Sequence, residues 1–248
     1  MGLLIAAIVL VSYCSSQETN SVTGKTQYLA MSTKQEIALG LQAAPAMANQ
    51  YGGLSKDQTA STRVASVGAK LFAANQADIS QWRFQFHLLG DSKTINAFAL
   101  PGGQIFITQG LLKRLKSADQ LAGVLAHEIG HVAGRHSAAQ LAKQQLTQGL
   151  TGAVVVASGD ANSGQIASVA GQLINLRYGR ADELESDALA LRFMPRAGYD
   201  PRAMLEVLHI LKQASGARGG PAFFSTHPDP DLRISKLEAQ MDMNQFEQ

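Results

Sequence analysis

Cysteine is almost missing from this 248-residue chain: Cys14 stands alone, which rules out a disulfide framework and any metal knot built on several thiolates. Charge is sparse as well, at 16% of residues, and the two signs interleave to a formal net charge of +2. Without basic runs, nothing points to a nucleic-acid partner or to a polybasic membrane patch. Internal repeats are absent. What the chain does have is apolar residues, 46% of the total, which excludes a disordered protein and provides the core of one large domain.

The apolar run "GLLIAAIVLVSY" at the N-terminus is about a dozen residues, too short to span a bilayer but of the length of a secretory signal core. Cys14 follows it directly, ahead of the polar "SSQETNSVTGKTQ". This order resembles a bacterial lipoprotein signal, in which Cys14 is lipidated and becomes the mature N-terminus. No Lys or Arg precedes the run, and Tyr13 stands where that signal prefers a small residue, so an ordinary cleaved signal peptide is the competing reading. The expected organisation is a signal at 1–14, a polar linker at 15–31 and one domain at 32–248.

Within that domain, Thr33 stands three residues before Glu36, a capping-box spacing that predicts a helix start. A second helix is expected where Val64, Val67, Leu71 and Phe72 share a face. The period then shortens to two: Trp82, Phe84, Phe86 and Leu88 alternate with polar residues as in a half-buried strand. A turn at Pro101-Gly102-Gly103 leads to a further strand at Gln104 to Thr108. Ser117, three residues before Gln120, predicts another helix start, with helical periodicity to about Leu146. The Gly-, Ala- and Ser-rich stretch from Gly149 to Leu176 reads as two helical pieces with a loop between. Later helices are expected at "DELESDALALRFMPRAG", at "PRAMLEVLHILKQA" and from about Asp231, with a Gly- and Pro-rich loop before the last. The fold class is therefore α+β, mostly helical, with a small sheet beside the Ser117 helix.

That helix carries "LAGVLAHEIGHVAGRH". His127 and His131 are four residues apart and stack on one face. With Glu128 between them they form HExxH, the arrangement in which two imidazoles hold zinc and the carboxylate takes a proton from a water that the metal activates. The surrounding Leu121, Val124, Leu125, Ile129 and Val132 are apolar, so the polar trio would be buried and needs a partner. A third histidine six residues after His131 would extend the motif, but position 137 is Ser137, and His136 lies roughly 140° round a continuous helix from His131. His136, His87 and His209 therefore read as structural or surface residues. The third ligand is expected on the later helix, where Glu183 and Asp187 share a face: one ligates the metal and the other receives the N–H of a ligating imidazole. Glu185, about 200° from Glu183, should face elsewhere.

Four segments in this order, "NAFALPGGQIFITQGLL", "HEIGHVAGRH", "RADELESDALA" and "STHPDPDLRI", resemble the M48 family of zinc metallopeptidases, in particular its bacterial periplasmic lipoprotein-type members. Gly179 and Ser186 replace the serine and alanine usual there, small for small. The resemblance implies a zincin-like metallopeptidase domain with one zinc per chain, Glu183 as third ligand and Asp187 as its neighbouring support. It also implies an extended polypeptide substrate laid along Asn96 and Ala97. Glu128 would be the general base. His227, Arg233, Arg180 and Tyr178 are candidates to stabilise the oxyanion, and His227 would either assist the reaction or take the open metal position. The expected activity is endopeptidase action on unfolded or misassembled cell-envelope proteins in the periplasm, with a membrane anchor if Cys14 is acylated. The alternative is a chaperone-like outer-membrane assembly factor with latent or gated proteolysis.

Overall fold

The computed structural model describes residues 2–29, 31–158, 177–215, 222–228 and 230–245. Helix α1 (Gly2–Ser15) leads into an antiparallel hairpin of β1 (Gln17–Thr19) and β2 (Thr26–Tyr28). Then come α2 (Thr33–Gln50), α3 (Gln58–Ala74) and the short α4 (Gln76–Ile79). Three strands follow, β3 (Gln85–Leu89), β4 (Ala97–Leu100) and β5 (Gln104–Thr108), with α5 (Gln109–Leu112) at their end. The remaining helices are α6 (Ala118–Ala133), α7 (His136–Ser158), α8 (Arg180–Arg196), α9 (Ala203–Ser215), α10 (Phe223–Thr226) and α11 (Pro230–Gln245).

Side-chain caps start the long helices. Ser117 accepts from Gln120 N at the head of α6, as its spacing predicts, and Asp57 accepts from Ala60 N at the head of α3. At α2 the capping box is Ser32 with Gln35, one residue earlier than the Thr33 and Glu36 pair. Glu36 is not available for capping because its carboxylate is buried, accepting from Arg135 Nε at 2.9 Å and from Trp82 Nε1 at 3.2 Å.

The sheet order is β3-β5-β4, with β3 parallel and β4 antiparallel to the central β5. Successive residues of β5 point to opposite faces. Ile105 and Ile107 join α3 and α6 in the main core, while Phe106 packs with Met47 of α2 and with Leu141 of α7. The sheet is thus covered on both faces, and β3 and β4 are its two edge strands among the described residues. Leu121, Leu125 and Ile129 of α6 are fully buried against α3, α8 and α9, which makes α6 the central rod of the domain.

One expected helix proves to be two. The periodicity from Ser117 to Leu146 is interrupted at Gly134 and Arg135, and Arg135 takes the left-handed conformation with φ 55°. A non-glycine residue holds that conformation only when its surroundings secure it. Here the buried guanidinium binds Glu36, Glu18 and the carbonyl of Met31. The predicted pieces after Gly149 fall partly in α7, and 159–176 lie outside the described residues. Helix α1 packs along α7 and leaves Leu3, Leu4, Ile8 and Val11 exposed. Among the described residues no helix is long and apolar enough to cross a membrane.

Candidate metal centre

Helices α6 and α8 approach so closely that a Cβ at Gly130 would sit 2.6 Å from Ser186 Oγ. The glycine of "HEIGH" is thus a requirement of packing. Ser186 uses its hydroxyl in the contact, donating to the carbonyl of His127. This approach turns the first two turns of α8 toward the histidines.

His127 and His131 face each other with their Nε2 atoms 3.0 Å apart. Glu183 brings Oε1 to 3.3 Å from His131 Nε2 and Oε2 to 3.5 Å from His127 Nε2. His227, at the end of α10, places Nδ1 3.0 Å from Glu183 Oε1 and 3.4 Å from His127 Nε2. The four ligand atoms of His127, His131, Glu183 and His227 lie within 4.8 Å of one another, and all four residues are buried. Beside them, Glu128 Oε1 is 3.7 Å from His227 Nε2, and neither Glu128 oxygen has a hydrogen-bond partner among the described residues.

Asp187 takes the other side of His127, its Oδ1 2.9 Å from Nδ1. Arg233 of α11 closes this group: Nη2 and Nε bind Asp187 at 2.7 and 2.8 Å, and Nη1 reaches Glu183 Oε2 at 2.8 Å. Arg233 is itself buried, so its guanidinium offsets one of the two carboxylate charges out of contact with water and leaves one negative charge beside the histidines.

Burial pushes the Glu128 carboxyl above its ordinary value, against the lowering effect of His227 and His127. Burial also holds His131 well below the usual histidine range. For His127, burial and Arg233 oppose protonation, but hydrogen bonds to Asp187 and Glu183 outweigh them and raise it to about 9. Burial would raise Glu183 too, yet His227 and Arg233 keep its carboxyl well below the ordinary value. Buried imidazoles and carboxylates converging with an unpaired carboxylate beside them would be costly without an added partner. A divalent cation fits this nitrogen and oxygen donor set.

The other predicted residues are spread around this centre. Tyr178 stacks on the His131 ring at 3.9 Å between centroids, with its hydroxyl 3.1 Å from Ser137 Oγ. Arg180 opens α8 and is exposed. Asn96 is buried just before β4, donating from Nδ2 to Tyr51 OH, with its Oδ1 unpaired. Ala97 is the first residue of edge strand β4, and the carbonyl of Ile95 accepts from Phe223 N, so the segment bearing His227 sits at that edge. Cys14 is exposed near the end of α1.

Two residues set aside on sequence grounds lie next to the centre. His136 is buried with Nδ1 2.8 Å from His131 Nδ1, and Glu185 Oε2 is 3.0 Å from His136 Nε2. The helical-wheel angle failed for His136 because the helix does not continue through Arg135. Glu185 does face away from the four ligand atoms, as its spacing predicts, and meets His136 instead. The helix break after HExxH was signalled only by Gly134. His87, by contrast, stacks on Phe106 in the sheet, and His209 is exposed.

Comparison with known proteins agrees with this geometry. The pattern of Peptidase family M48 matches residues 58–241. The mitochondrial metalloendopeptidase OMA1 of Schizosaccharomyces pombe is 37% identical over 166 residues, covering 64% of this chain and 47% of its own length. The beta-barrel assembly-enhancing protease of Escherichia coli K12 is 30% identical over 250 aligned residues, 94% of this chain and 50% of that protein. A putative beta-barrel assembly-enhancing protease of Vibrio cholerae is 32% identical over 165 residues, 61% of this chain and 33% of its own length. The chain spans about half the length of the first two relatives, or less. With its mostly helical, zincin-like domain and buried His and Glu cluster, the chain belongs to peptidase family M48.

Proposed function

We propose that the protein is a zinc-dependent endopeptidase of the bacterial cell envelope, acting on unfolded or misassembled proteins. The observation that carries this reading is the convergence of His127, His131 and Glu183 next to the unpaired Glu128 carboxylate. His127, His131 and Glu183 would hold the metal, one per chain, with Asp187 orienting His127. Zinc held there would supply Lewis-acid chemistry toward the scissile carbonyl and the attacking water. Glu128 takes that water's proton and passes it to the leaving amine, a task suited to a carboxyl whose burial raises its pKa. Arg233 is committed to Asp187 and Glu183, the Tyr178 hydroxyl to Ser137, and Arg180 is exposed at the head of α8, which leaves His227 as the group beside Glu128 to stabilise the oxyanion. The substrate adds as an extended strand at β4, with Asn96 and Ala97 at its start and the buried Asn96 Oδ1 awaiting a donor. In the proposed organisation 1–14 is a signal, 15–31 a linker and 32–248 the peptidase domain, with Cys14 as the lipid attachment point in the periplasm.

A second reading, a gated assembly factor with latent proteolysis, is favoured by His227. Its Nδ1 lies among the ligand atoms, so this residue could be a further ligand as well as serve the reaction. Zinc content and casein cleavage of the wild type and Glu128→Gln separate the readings. The peptidase reading expects one zinc in both proteins and a rate lower by about 10²–10⁴ in the variant. Zinc in both with cleavage in neither supports gating, and His227→Ala should then restore cutting. A folded wild type that takes up no zinc would sink both.

A further inference from the structure

We propose that His136 and Glu185 form a proton-ordered relay that fixes the tautomer of His131 and so sets the affinity of the pocket for its metal; this rests on the metal-site reading above. The two Nδ1 atoms of His131 and His136 are 2.8 Å apart, so one must carry a proton and the other must not. His131 turns Nε2 toward His127 and Glu183 and can ligate only if that nitrogen is bare. Its proton must therefore sit on Nδ1 and be donated to His136 Nδ1. His136 then carries its own proton on Nε2, where the Glu185 carboxylate accepts it at 3.0 Å. Glu185 in turn faces Lys25, with Oε1 2.9 Å from Nζ.

The opposite order, in which His136 donates to His131, would put a proton on His131 Nε2 in the middle of the ligand atoms. For a neutral His136, Glu185 decides between the two, since a carboxylate accepts only and demands that ring's single proton at Nε2. The arrangement lengthens the usual support of a ligating histidine by a carboxylate, with a second imidazole inserted between them.

The backbone is shaped to bring His136 there. A Cβ at Gly134 would lie 2.3 Å from His136 Nε2, so only glycine admits the ring. The left-handed Arg135 turns the chain back toward His131 and is held by its buried contacts to Glu36 and Met31. His136 does not touch the reaction. It is a positioning residue acting through His131.

The test measures zinc affinity of the full-length chain by chelator competition, with cobalt(II) spectra of the same proteins to report ligand geometry. His136→Phe keeps the ring and removes the acceptor; its zinc dissociation constant should rise about 10–100-fold, with an altered cobalt spectrum. His136→Asn places a carbonyl oxygen near the lost Nδ1 and should recover most of that affinity. The unfolding midpoint of the metal-free proteins should not track these changes, as it would for a residue that merely packs. Wild-type affinity in His136→Phe, or equal weakness in the Phe and Asn variants, would overturn the relay. If His136→Phe does not fold, Glu185→Ala decides: several-fold weaker zinc binding supports the relay and unchanged binding overturns it. Failure of the wild type to bind zinc would overturn the metal site itself, and the relay with it.

Discussion

The two histidines of HExxH stand in unlike surroundings. His127 gives Nδ1 directly to Asp187, which Arg233 clamps in a group closed off from water. His131 gives Nδ1 to another imidazole, then to Glu185, then to Lys25, whose side chain is 60% exposed. One support ends in a buried ion pair and the other ends at the surface. Buried charges depend strictly on every partner being present, whereas a chain that reaches solvent can lose its last member cheaply. The His127 side should therefore be brittle and the His131 side graded.

The largest break expected is Arg233→Met. It leaves Glu183 and Asp187 buried without their cation, which should cost about 3–5 kcal/mol in urea unfolding of the metal-free protein. Zinc should recover part of that loss by replacing the positive charge beside Glu183. Next comes Asp187→Asn, which keeps a hydrogen-bond acceptor for His127 and removes the charge. A zinc affinity lower by about 10–100-fold is expected, and equal affinity would show that Asp187 serves Arg233 alone.

The two sides should also differ in the protons they release. In the metal-free pocket His127 holds its proton up to about 9, while burial keeps His131 neutral well below the ordinary histidine value. Metal must displace the His127 proton below that pH, and nothing from His131. Affinity should then rise by about tenfold per pH unit from 7 to 9 and flatten above. Calorimetry in buffers of different ionisation heat counts that proton directly; a count of zero at pH 7.5 would contradict the assignment to His127. The smallest effect belongs to Lys25→Ala. Its bridge to Glu185 is exposed at the lysine end, so a stability change within about 1 kcal/mol, shrinking further in salt, is expected.

How much of this was legible before the structure depends on distance along the chain. The i, i+4 spacing of His127 with His131 and of Glu183 with Asp187 puts each pair on one face of its own helix, and the structure keeps both pairs together. Ser117 announces the start of α6 because a cap acts on a backbone N–H three residues away. The helical angle assigned to His136 failed for the same reason that those succeeded: the periodicity rule assumes a continuous helix, and the left-handed Arg135 that breaks it is stabilised by Glu36, 99 residues away in sequence. The choice of Ser32 over Thr33 at the head of α2 follows from that same inward turn of Glu36.

Local patterning thus determined where most of the helices lie, the central strand and the side chains able to hold a metal, since hydrophobic period, capping and ligand spacing act within one or two turns of chain. Only the tertiary structure decided which outside residues complete the site. His227 and Arg233 reach His127 from 100 and 106 residues away, and Glu185 meets His136 across the contact that Gly130 permits between α6 and α8. Those meetings depend on how closely helices pack, which is set by the small residues and buried charges of both partners together and is written in neither segment alone.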